Sequence, residues 1–73
     1  METKVLEIIN LIRLSKDLPA LDKINETDRL RDEIGFSSFD LAELTVRIED
    51  EFDIDIFEDG LVSTIGEIYS KLK

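Results

Sequence analysis

Seventy-three residues make one small domain, residues 1–73, with no room for a second core or an enclosed catalytic cleft of ordinary size. The chain has no cysteine and no histidine, which excludes disulfide staples, thiolate metal sites and a serine paired with its own imidazole base; a reducing compartment, the cytoplasm, is expected. A net charge of −9 argues against nucleic acid as a partner.

Val5, Ile8, Ile9 and Ile12 recur at i, i+3, i+4 and i+7, which predicts an amphipathic first helix over 3–15. Neither this segment nor any later one approaches the roughly 18 apolar residues of a membrane span, and the N-terminus lacks the pattern of a signal peptide. The stretch that follows, through Gly35, contains the only proline and has no sustained period. A structureless loop of that length is uncommon in a small domain. It is therefore expected to be pinned to the core by Leu18, Leu21, Ile24, Leu30 and Ile34, with a helical turn near 27–33.

From Ser38 to Phe52 a glycine-free, proline-free run rich in Leu, Ala and Glu predicts the best-defined helix. Alternating acidic and apolar residues from Asp53, then Gly60, end it, and 58–62 is expected to make a short third helix of about one turn. Thr64 and Glu67 have capping-box spacing ahead of Ile65, Ile68 and Leu72, which predicts a terminal helix of about two turns. The fold class is therefore all-α: a small bundle of three main helices plus one short third helix, with a long first loop.

The charge is unevenly spread. Residues 1–31 carry six acidic and six basic side chains, whereas 32–67 carry twelve acidic ones against Arg47 alone. A one-sign surface attracts basic partners. The helix in this acidic half has two apolar faces. Leu41, Leu44, Ile48 and Phe52 fall within about 80° of one another and suffice for the core, while Phe39, Ala42 and Val46 cluster about 100° to 160° from Leu41. Asp40, Glu43 and Glu49 border that second strip. An apolar anchor with an acidic rim is a protein-docking pattern, and these six residues are the candidate partner-binding set.

Asp53 and Asp55 open like an EF-hand loop, but Phe57, Glu58 and Thr64 occupy positions five, six and twelve, where a ligand, glycine and a bidentate glutamate belong. No metal site is expected. Ser37 is placed to cap the central helix. Ser38 then lies in its first turn, with its hydroxyl beside the positive end of the helix dipole, a position that favours a phosphate ester.

Residues 32–56, DEIGFSSFDLAELTVRIEDEFDIDI, resemble the central segment of acyl carrier proteins. The matching features are the Ile34-Gly35-Phe36 turn, Ser38 at the position of the modified serine, Asp40, Glu43, Leu44, and Glu49 to Phe52 in register; Leu30 also matches an apolar loop position. Ser37 stands where the family usually has aspartate, and Phe39 where it has leucine or methionine. The first loop is longer than is usual there, and the segment between Ile56 and Thr64 is shorter and lacks the common proline.

The resemblance implies a four-helix bundle whose Ser38 receives 4'-phosphopantetheine from coenzyme A and carries acyl groups as thioesters. It implies a monomer that is itself no enzyme and has no catalytic residue. Its partners would be a phosphopantetheinyl transferase and acyl-loading and acyl-processing enzymes with basic patches, in fatty acid or related biosynthesis. The competing expectations are a dedicated aminoacyl, D-alanyl or polyketide carrier, and an unmodified acidic adaptor that docks basic proteins through the same helix.

Overall fold

A computed structural model describes residues 2–58 and 60–72. It contains three helices: α1 (Glu2–Ser15), α2 (Ser38–Phe52) and α3 (Ile65–Leu72). α1 turns Val5, Ile8, Ile9 and Ile12 inward, all buried, and packs against α2. Each such side chain contributes about 1.5–3 kcal/mol of burial free energy. α1 ends in a Schellman motif. Asp17 takes the left-handed conformation at φ 64°, and the Leu18 and Asp17 N–H groups donate back to the Arg13 and Leu14 carbonyls.

α2 presents Leu44 and Ile48 to the core, flanked by half-buried Leu41 and Phe52, which is the stripe the sequence predicts. Asp53, left-handed at φ 59°, terminates it by donating its N–H to the Glu49 carbonyl. α3 begins with the expected capping box: the Glu67 carboxylate accepts the Thr64 N–H at 3.1 Å, and Thr64 Oγ1 accepts the Glu67 N–H. Ile65, Ile68 and Tyr69 bury its inner face.

The long first loop is pinned, as expected, by buried Leu30 and Ile34 and by half-buried Leu21 and Ile24. Polar anchors that the periodicity does not reveal hold it as well. The Asn10 side chain clasps both backbone groups of Leu21, donating at 2.9 Å and accepting at 2.8 Å. The buried Arg13 guanidinium donates to the carbonyls of Pro19 and Ile34. The Arg29 carbonyl accepts the Glu33 and Ile34 N–H groups, closing a turn over 30–33 near the expected position.

The loop also pairs with the start of α3. An antiparallel bridge joins Arg29 to Thr64, flanked by Leu30 N–H to Ser63 O and Ile65 N–H to Asp28 O. The Gly66 N–H completes this seam by donating to the Glu26 carbonyl at 2.9 Å, and a Cβ at Gly66 would come within 3.1 Å of that oxygen. Side-chain bulk is excluded here by a close backbone approach.

Between α2 and α3 the short third helix expected over 58–62 is not formed among the described residues, and a turn stands at 56–58. The Asp55 carboxylate accepts the Phe57 N–H, and the backbone bonds present, Glu58 N–H to Asp55 O and Gly60 N–H to Phe57 O, span three residues and not four. An aspartate that bonds its own backbone two residues on offers the chain an alternative to helix. Asp59, within the expected helical span, lies outside the described residues. This turn seals the core with buried Ile56 and half-buried Phe57.

Candidate functional site

Ser37 takes the capping position that the sequence predicts. Ser37 is the N-cap of α2, in extended conformation (φ −83°, ψ 176°), with its Oγ accepting the Asp40 N–H. Asp40 reciprocates: its Oδ2 accepts the Ser37 N–H at 2.9 Å and the Ser37 hydroxyl at 2.9 Å. The same carboxylate forms an ion pair with Lys16, whose ammonium also donates to the Gly35 carbonyl at 3.0 Å. Gly35 itself adopts φ +86°, the conformation in which glycine carries no Cβ penalty, and this turns the chain from buried Ile34 to the cap.

Asp40 is therefore an inward-facing part of the cap. It is 7% exposed, and partial burial works against its ionisation. The Lys16 hydrogen bond and the Ser37 backbone and hydroxyl donors outweigh that effect, so its pKa lies below the ordinary value of 3.8. Of the six residues expected to meet partners, Asp40 is the one that the fold buries.

Ser38 opens the first turn of α2 and is exposed. Its Oγ accepts a 2.6 Å hydrogen bond from Arg31 Nη2, donated from the turn over 30–33. The N–H groups at the start of a helix have no intrahelical acceptor, so the Ser38 hydroxyl lies between open backbone donors and a guanidinium. Negative charge attached at this oxygen would be stabilised from both sides, so the residues fit a phosphate ester. A shallow groove starts at the same point, lined by Arg31, Ser38, Leu41, Ala42, Phe57 and Leu61.

The second face of α2 is open. Phe39 is 83% and Val46 68% exposed, with exposed Ala42 between them. Glu49 is exposed along this strip. Glu43 is half-buried and paired with Arg47 at 2.8 Å, so its charge is shared within the helix. Arg31, Lys16 and Arg13 stand out only in the fold: each is a lone basic residue in a loop or helix end, and nothing in the periodicity ties it to the serines.

The profile of the phosphopantetheine attachment site family matches residues 5–72, nearly the whole chain. This chain belongs to the phosphopantetheine attachment family. Domains of this family carry a covalently attached 4'-phosphopantetheine and serve as carriers for enzymes that modify and process their cargo. The three-helix architecture agrees with an acyl-carrier-like bundle. As a phosphopantetheine attachment domain, the chain needs one accessible hydroxyl. Among the described residues, no helix is long and apolar enough to cross a membrane.

Proposed function

We propose that Ser38 is the attachment residue and that the chain acts as an acyl carrier in fatty acid or related biosynthesis in the cytoplasm. The observation that carries this reading is the division of labour at the cap. Both serines are exposed, but the Ser37 hydroxyl donates to and accepts from Asp40, whereas the Ser38 hydroxyl, at the positive end of α2, accepts among the described residues from Arg31 alone.

Loading requires the Ser38 oxygen to attack the phosphorus of coenzyme A that bears pantetheine. The new O–P bond forms as the pyrophosphate P–O bond breaks, the electron pair leaves with adenosine 3',5'-bisphosphate, and the hydroxyl proton passes to a base of the transferase. The base comes from outside because the chain contains no histidine and Asp40, two residues on in the same helical turn, is committed to Ser37 and Lys16. The chain has no catalytic residue in this reading. When bound, the prosthetic group supplies a thiol that holds an acyl group as a thioester.

This chain's residues do the rest. The Ser37–Asp40–Lys16 cluster fixes the start of α2, so the Ser38 hydroxyl is presented in one orientation. Phe39, Ala42 and Val46 offer the apolar contact for partner enzymes, and Glu43 and Glu49 the charges that steer a basic surface toward it. The groove formed by Leu41, Ala42, Phe57 and Leu61 beside Ser38 supports an apolar acyl cargo. Incubation with a phosphopantetheinyl transferase and coenzyme A tests the reading. The intact mass of the wild type rises by one phosphopantetheine while Ser38→Ala stays unchanged; a wild type that gains no mass leaves the chain an acidic adaptor.

A further inference from the structure

Arg31 is a cation whose use in the apo fold is slight. Its turn is well anchored: Leu30 is 1% exposed, donates its N–H to the Ser63 carbonyl and accepts the Phe36 N–H at 2.9 Å. The side chain nevertheless reaches outward to a neutral hydroxyl that Ser37 has made unnecessary for capping. One exposed hydrogen bond of this kind contributes little to folding. A guanidinium carries five donors in a planar fork suited to phosphate oxygens, so a single hydroxyl uses a fraction of it.

The other cations near this end of α2 have their own partners. Lys16 is held by Asp40 and the Gly35 carbonyl, and Arg47 by Glu43. Ser37 brings no charge next to Ser38. Esterification of Ser38 Oγ would put phosphorus one bond beyond the atom that Arg31 already reaches, with non-bridging oxygens spread around it.

We infer that Arg31 is a positioning residue that grips the phosphodiester of the loaded prosthetic group from the loop side while the first-turn amides of α2 face it from the helix side. The inference rests on Ser38 being the attachment residue. Because Arg31 and Ser38 both line the groove, the grip directs the arm along its other lining residues, Leu41, Ala42, Phe57 and Leu61, and not toward the exposed Phe39 and Val46. Phe39 and Val46 of the partner-facing strip then stay clear of the prosthetic group, while Ala42 borders both.

Nuclear magnetic resonance of the loaded protein tests this, with loading first verified by mass. On loading, the Arg31 side-chain Nε resonance of the wild type shifts. The 31P resonance of loaded wild type differs from that of loaded Arg31→Gln at low ionic strength, and the difference shrinks as salt is added. An unmoved Arg31 Nε, with coincident 31P resonances in the two loaded proteins, overturns the grip and leaves the carrier reading intact. A wild type that does not load overturns both. If Arg31→Gln loads too poorly for the comparison, the Nε shift in the wild type decides alone.

Discussion

The Lys16 ammonium closes on the Asp40 carboxylate, joining the residue just past α1 to the first turn of α2. The same carboxylate accepts the N–H and hydroxyl of Ser37, so one aspartate ties together α1, the long loop and the cap that presents Ser38. Asp40 has a depressed pKa in the fold and an ordinary one in the unfolded chain. Its contribution to stability is therefore present above its unfolded pKa and is lost as pH falls through the lower, folded value. Asp40→Asn lowers the melting temperature at pH 7, and the gap to wild type closes as pH drops below 3.8. Melting curves over that range measure it; a gap that stays constant with pH means the charge is not what holds the cap.

Arg13 makes a second joint. Its buried guanidinium satisfies the carbonyls of Pro19 and Ile34, both in the first loop. Arg13→Met keeps the apolar stem and leaves two carbonyls without their donor, at a cost of about 2 kcal/mol in chemical denaturation. Arg13→Lys recovers little, because one ammonium does not reproduce the fork that spans both acceptors.

Ser37→Ala removes the cap without removing the attachment hydroxyl. Stability falls by about 1 kcal/mol. Loading by the transferase persists, at a rate that reports how far a fixed α2 start matters. Ser38→Ala shows the reverse, with unchanged stability and no loading.

The exposed strip of α2 is tested by charge and by shape separately. Glu49→Lys slows loading by about fivefold at low salt and approaches wild type at high salt, because steering is screened. Val46→Asp slows it with a weaker salt dependence, since an apolar anchor is lost. Glu43→Lys weakens partner binding and also sets a lysine against Arg47, so its effect on helix stability is measured alongside. Wild-type rates in all three variants would move the partner face to the first loop.

The main helices were legible because their signals are local. Val5 to Ile12 and Leu41 to Phe52 repeat at helical spacing, and both Ser37 and the Thr64–Glu67 pair carry capping chemistry within four residues. The joints were not legible. Arg13 to Ile34, Asn10 to Leu21, Lys16 to Asp40 and Arg29 to Thr64 each link residues far apart in the chain, and only the folded path brings them together. Sequence alone places Asp40 in the outer rim because a carboxylate on an acidic helix is ordinarily solvated. Its spacing of three from Ser37 was the available signal for a cap. The chain turns at 56–58, ahead of the expected helical span of 58–62, because Asp55 bonds it locally, a competition that apolar periodicity does not register.

On the proposed reading the hydroxyl of Ser38, and not that of Ser37, bears the phosphopantetheine. Tandem mass spectrometry of the peptide spanning 32–47 from transferase-treated protein tests it most directly. The added mass is expected on fragments that contain Ser38 and is absent from those that end at Ser37. Modification on Ser37 would contradict it and would mean that the Asp40 cap opens to release the very hydroxyl it holds.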